Sequence, residues 1–165
     1  IYKVGDSIKV FPSNIESKIL KIERHLEEVD HAVEGENIVL HLENNIDISR
    51  GDTIVKISEE PVATNEPKAW ICWLDNQSLQ PGKTYELQHR FHSVRTKVRE
   101  IDQQWDINNW NFIPTDEVKL NDIAQVTLKT NQPLFYDLFE KNNKTGNAIL
   151  IDETTKNTVA AVMFI

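Results

Sequence analysis

Two tripeptides in this chain could meet a phosphate or an acyl group, Gly82-Lys83-Thr84 and Lys144-Thr145-Gly146. A phosphate loop needs another glycine five positions before its Gly-Lys-Thr end, so that successive backbone N–H groups cradle the phosphates ahead of a helix. That position holds Gln77, Pro81 precedes Gly82, and a strand pattern follows. The cradle is missing. Lys-Thr-Gly also occurs beside serine nucleophiles of the Ser-x-x-Lys type, but Ser17 and Ser78 lack the required lysine. Arg50-Gly51-Asp52 reads as a turn before a strand rather than as an adhesion sequence. Asn76-Gln77-Ser78 and Asn143-Lys144-Thr145 fit the glycosylation pattern, which has meaning only in a secreted protein.

Five histidines are present, His25, His31, His41, His89 and His92. The last two flank Arg90 with no carboxylate cluster beside them, and are expected to be solvated and on opposite faces of a strand. Cys72 is the only cysteine, which excludes an internal disulfide; within "AWICWL" it reads as a small buried hydrophobe. Trp70, Trp73, Trp105 and Trp110 could form an aromatic platform for sugars or bases, but the apolar strand around the first two argues for core and interdomain packing. No nucleophile, base and oxyanion donor come together by spacing. No catalytic, cofactor-binding or metal-ligating residue is assigned.

The balance of 18 basic against 26 acidic residues gives a net charge of -8. Binding to a nucleic-acid backbone depends on Lys and Arg neutralising phosphates, so this composition argues against it. No apolar run approaches the roughly 20 residues of a membrane span. The first residues, "IYKVGDSIKV", show neither an initiator methionine nor a signal-peptide pattern, so the chain reads as a cytoplasmic fragment of a longer protein.

The elements that must position these residues read as short strands between turn signals. Ser7–Phe11 alternates, and Asn37–Leu42 and Asp52–Ile57 are strand-like, with "ISRGD" turning between the last two. Pro61 and Pro67 bracket a polar break, where a domain boundary is placed. Beyond it come "KAWICWL", a type II turn at Pro81-Gly82, Ser93–Ile101, "DIAQVTLKT", and a hairpin of "NAILID" and "TVAAVMFI". Strands at this spacing predict an all-β chain of barrel or sandwich type.

Asn14–Gly35 conflicts with that pattern. Its aliphatics at Ile15, Ile19, Ile22, Leu26, Val29 and Val33 follow a helical period. Ser13 with Glu16 fits a capping box, and Gly35 fits a stop. The isoleucine-rich first half favours a strand instead, with Val29 and Ala32 packing down from a loop. A strand at the start of residues 15–33 is the expectation adopted.

Three stretches carry a resemblance, "VGDSIKVFPS" with "SKILKIERH", "GENIVLHLENNIDISRGDTIV" and "NNKTGNAILIDETTKNTVAAVMF". Together they resemble the carboxyl-terminal half of sulfate adenylyltransferase subunit 1, the GTPase subunit of bacterial ATP sulfurylase. A more distant likeness to translation elongation factors lies in the same places. The resemblance implies two β-barrels following an absent GTPase domain: a second domain at 1–62 cut at its start, a linker at 63–67 and a third domain at 68–165. Signature positions carried over from it are Gly5, Asp6, Arg50, Gly51, Asp52, Gly146, Asp152 and Thr158. Lys144, Ala148 and Val162 depart from the family pattern and concern loop chemistry and barrel packing.

The resemblance further implies that the parent makes adenylylsulfate and pyrophosphate from ATP and sulfate, driven by GTP hydrolysis. GTP and Mg would bind in the absent domain, since this chain has neither the DxxG nor the NKxD sequence. Its expected partners are its own GTPase domain and the sulfate adenylyltransferase small subunit, with no membrane and no nucleic acid. The alternatives are a translation-factor fragment contacting tRNA and a stand-alone ligand-binding barrel that uses the tryptophans. At about 60 residues the first barrel would bury only about 60% of its unfolded surface, so it is expected to lean on the second.

Overall fold

Alternating apolar and polar side chains put just over half of the chain into antiparallel strands, and no α-helix forms. The computed structural model describes all 165 residues. They divide into two compact units, Ile1–Pro61 and Val62–Ile165.

The first unit holds β1 (Tyr2–Lys3), β2 (Ser7–Phe11), β3 (Ile15–Arg24), β4 (Glu27–Val29), β5 (His31–Ala32), β6 (Val39–Leu42) and β7 (Thr53–Lys56), then a 3-10 turn at Ile57–Glu59. Strands run in the order β4-β3-β2-β7, β6 also pairs with β3, and β1 pairs with β5. The result is an open half-barrel around Ile8, Val10, Ile19, Ile22 and Ala32.

Residues 15–33 form β3, β4 and β5 with short turns between them, and no helix. Their helical spacing has a physical cause. On β6, Leu42 faces Ile19 and His41 faces Lys21, so Leu20 is an extra residue in β3. Such a bulge shifts the alternation by one position. Ile19 and Ile22 are therefore both fully buried although three residues apart, while Leu20 is 54% exposed. Plain alternation, which would set Leu20 with Ile22 on one face, fails at this point. Val29 and Ala32 do pack onto the core from β4 and β5.

The second unit holds β8 (Val62–Thr64), β9 (Lys68–Trp73), β10 (Thr84–His89), β11 (His92–Asp106), β12 (Asn111–Ile113), β13 (Ile123–Thr130), β14 (Leu134–Tyr136), β15 (Asn147–Asp152) and β16 (Thr158–Phe164). Six of them run β10-β15-β16-β9-β13-β11, and β11 pairs back onto β10, closing a barrel. Inside lie Ile71, Trp73, Tyr85, Leu87, Val98, Val126, Leu128, Leu150 and Phe164. Residues 62–64, which overlap the expected linker, form β8 and pair with β14. Pro81-Gly82 makes the turn its sequence predicts, with Gly82 at φ 81° and Lys83 N donating to Gln80 O at 3.2 Å.

His89 corrects the expectation of solvated histidines. It is 5% exposed, its ring edge-on to Phe164, and its Nε2 donates to the Thr145 carbonyl at 2.7 Å. Arg90 and Phe91 form the turn between β10 and β11, so His89 and the exposed His92 are paired across a hairpin rather than along one strand.

Two measurements follow from this packing. Ile22→Ala is expected to destabilise the first unit by about 2–5 kcal/mol, against about 0.5 kcal/mol or less for Leu20→Ala. Urea unfolding monitored by circular dichroism checks this, and equal losses would refute the bulge. Burial holds the His89 imidazole below its ordinary value of 6.5. The unfolded chain thus takes up a proton that the folded chain refuses. The contribution to stability is full above pH about 6.5 and is lost as pH falls toward the lower folded value. His89→Gln should flatten that part of the stability–pH profile.

Candidate functional site

The signature residues hold backbone, and they are distributed over both units. Gly5 at φ 93° turns the chain into β2, and its N–H donates to Ile19 O at 2.8 Å. Asp6 accepts from Lys3 N at 2.9 Å and pairs with Lys56 at 3.2 Å. Arg50 and Gly51 are the middle of a turn in which Asp52 N donates to Ser49 O at 3.0 Å and Ser49 N to the Asp52 carboxylate at 2.9 Å. Gly51 supplies the positive φ, 107°. At Gly146 a Cβ would lie 2.5 Å from Phe139 Cα, so no side chain fits. Asp152 is buried, accepts from Thr154 N and Thr155 N, and pairs with Lys83 at 2.5 Å. Those donors hold its carboxyl well below the usual range. Thr158 opens β16 opposite Ile151.

These residues do not fit a nucleotide. Gly82-Lys83-Thr84 runs from a turn straight into β10, and the Lys83 ammonium is committed to Asp152. Thr145 is hydrogen-bonded through its hydroxyl to Asp137. No group of three or more His, Cys, Asp or Glu side chains is arranged to hold a metal ion. No helix is long and apolar enough to cross a membrane.

The outside of the closed barrel is the candidate site. In β9 Ala69, Ile71 and Trp73 point inward, which turns Trp70 and Cys72 outward. Cross-strand partners share a face. Ala161, Cys72, Ile123, Trp105 and Phe112 are successive partners across five strands, and Met163, Trp70, Gln125 and Gln103 form the adjacent row. The outer surface of a barrel is ordinarily polar, because the interior takes the apolar side chains. Along these two rows it is mainly apolar.

Its rings touch in sequence. Trp70 stacks on Phe112 at 5.5 Å, Phe112 meets Trp105 at 4.8 Å, and Trp105 meets Trp110 edge-on at 6.1 Å. Trp110 remains 76% exposed and Phe112 50%. Next to them Ile107 is also exposed. The hairpin that carries this cluster is fixed by Asp106, whose carboxylate accepts from Asn108 N and Asn109 Nδ2. Those hydrogen bonds, the Asn109 side chain first, lower the Asp106 pKa. Gln103 Nε2 donates to Gln125 Oε1 at 2.6 Å and closes the polar end of the face.

Core packing therefore holds for Trp73, whose Nε1 donates to Gln77 O at 2.7 Å, and fails for the other three tryptophans. The signal was present. Trp70 and Trp73 are three apart in one strand and must point to opposite faces. Cys72 is half-buried on the outer face rather than in the core.

Comparison with known proteins supplies the lineage. Residues 66–165 match the family described as GTP-eEF1A C-terminal domain-like. The chain belongs to this family. Sulfate adenylyltransferase subunit 1 of Aeromonas hydrophila is 34% identical over 165 residues, covering 100% of this chain and 35% of that protein. The bifunctional enzyme CysN/CysC of Mycobacterium tuberculosis is 35% identical, with 99% and 27% covered. The likeness read from the sequence thus extends along the chain, which spans about a third or less of these relatives. Among solved structures, Sup35 complexed with GMPPNP superposes with a TM-score of 0.83 at 19% identity, covering 99% of this chain and 41% of that one. Apo translation elongation factor SelB of Methanococcus maripaludis gives 0.76 at 17%, covering 99% and 36%. These two share the fold.

Phe112→Ala removes the ring between Trp70 and Trp105. It is expected to destabilise the second unit by about 1–3 kcal/mol, the sum of two aromatic contacts. It should also raise the acrylamide quenching of tryptophan fluorescence; unchanged quenching would show that the rings do not shield one another.

Proposed function

We propose that this chain is the barrel region of a GTP-dependent sulfate adenylyltransferase large subunit, and that it works by docking rather than by chemistry of its own. The observation that carries this reading is the 34% identity to sulfate adenylyltransferase subunit 1 over the whole chain. On this reading the parent is cytoplasmic and joins ATP and sulfate to adenylylsulfate and pyrophosphate. GTP and Mg bind in a GTPase domain outside this chain. The barrels hold that domain and the small subunit in register, and the nucleotide state is passed on by rigid-body movement. The way both units are built supports such a role. Their turns are set by backbone hydrogen bonds and by glycines at positive φ or, at Gly146, at a close backbone approach, and such elements move as bodies rather than deform.

The test is association. Sedimentation velocity of the purified chain with the sulfate adenylyltransferase small subunit should show a complex, and the chain alone should neither hydrolyse GTP nor form adenylylsulfate. Either activity above a blank, or no complex, would overturn the reading. A salt-dependent affinity for tRNA in place of the complex would support a translation-factor role.

A further inference from the structure

The aromatic face has a charge pattern of its own. Between residues 100 and 122 lie six acidic side chains, Glu100, Asp102, Asp106, Asp116, Glu117 and Asp122, against the single base Lys119, which pairs with Glu117 at 3.2 Å. The first half of β11 is the reverse, carrying Arg95, Lys97 and Arg99. The acidic stretch is the one that carries Trp105, Trp110 and Phe112.

Three carboxylates lie in the segments that carry the rings or their cross-strand partners. Asp106 follows Trp105 directly; Asp122 precedes Ile123, the cross-strand partner of Trp105. Asp102 accepts from the Thr127 hydroxyl at 3.2 Å, at the far end of the same outer face. Asp106 and Asp122 are fixed by backbone and amide donors, Asp122 by Lys119 N at 2.7 Å. Each accepts from neutral donors.

A face of this kind complements one chemistry. Exposed indoles attract cations over their rings, and arginine exceeds lysine because its planar, weakly hydrated guanidinium stacks on the ring while its N–H groups reach carboxylates beside it. The surplus of carboxylates in these segments disfavours phosphate, and so opposes nucleic acid and anionic lipid alike, with Lys68 the one base outward beside Thr127. We propose that the outer face around Trp70, Trp105, Trp110 and Phe112 receives an arginine-bearing segment of a protein partner, with guanidinium groups on the tryptophans and paired to Asp102, Asp106 and Asp122. This deepens the docking role proposed above and rests on it for the identity of the partner. The surface itself is testable without that partner.

The probe is capped penta-arginine, titrated into the full chain with tryptophan fluorescence as readout and penta-lysine and penta-glutamate as comparisons. Penta-arginine is expected to bind about tenfold tighter than penta-lysine, with no binding of penta-glutamate. Trp110→Ala and the pair Asp102→Asn with Asp106→Asn should each weaken it about tenfold, while Glu27→Gln with Glu43→Gln in the first unit should leave it unchanged. Circular dichroism confirms that each variant is folded, and Trp110→Phe keeps a ring and should retain most of the binding. Equal affinity for the two basic peptides with equal loss in the control variant would overturn the proposal as general attraction to an acidic protein. So would an unchanged Trp110→Ala, or self-association of the chain that Trp110→Ala abolishes, which would make a second copy the occupant. Arginine binding without a small-subunit complex refutes the partner and retains the surface; the converse refutes the surface alone.

Discussion

Closure of the second unit is the constraint from which its other features follow. Because β10 pairs with both β15 and β11, the six-stranded sheet has no free edge within the barrel, and every residue on it is committed to the inside or the outside. Inside, large side chains such as Trp73, Tyr85 and Phe164 fill the space. The remaining tryptophans lie outside. β11 is 15 residues long and runs beyond its pairing with β10, so its last part can take β12 as an extra strand. The aromatic face is built on that extension, next to the closed barrel but not needed to close it.

Bulges decide how the interior and exterior sets are chosen, and they also decide what a reader of the sequence could see. In β11 one irregularity lies between Val98 and Glu100 and a second between Ile101 and Gln103. Each shifts the phase by one residue, so the second restores what the first displaced. Ile101 packs on the core three residues after Val98, and Gln103 and Trp105 face outward beside Gln125 and Ile123. β3 uses the same device between Ile19 and Ile22. A spacing of three is half of a helical pattern, which is why Asn14–Gly35 imitates an amphipathic helix. The abundance of isoleucine kept the strand reading; the bulge itself leaves no mark that a period of two or of 3.6 can register.

The all-β class and the turns at Pro81-Gly82 and Ser49–Asp52 were legible because they depend on local rules: alternation, proline φ and glycine's freedom at positive φ; the two barrels were legible only through the family resemblance. The site was legible only in part. Alternation separates Trp70 from Trp73 within one strand, yet the meeting of Trp70 with Phe112 and Trp105 depends on which strands are neighbours, a non-local fact. His89 was misread for the same reason. Its cover comes from Thr145 and Phe164, more than fifty residues away along the chain. Burial by distant elements is what a single sequence conceals best.

The division between fold and function in this chain follows from where each kind of residue sits. The signature positions act through backbone: Gly51 through its φ, Gly146 through a close approach, Asp52 and Asp152 by accepting from nearby N–H groups. Any protein with these two barrels needs something equivalent, whatever it binds. That is consistent with Sup35 and SelB superposing over 99% of the chain at only 17–19% identity. Shared turns therefore speak for shared architecture and cannot distinguish sulfate activation from translation. What can distinguish them must be side chains that the barrel does not require. The outward tryptophans with the carboxylates of the same segments are such a set, since a polar exterior would serve the barrel's stability as well and would not expose Trp110.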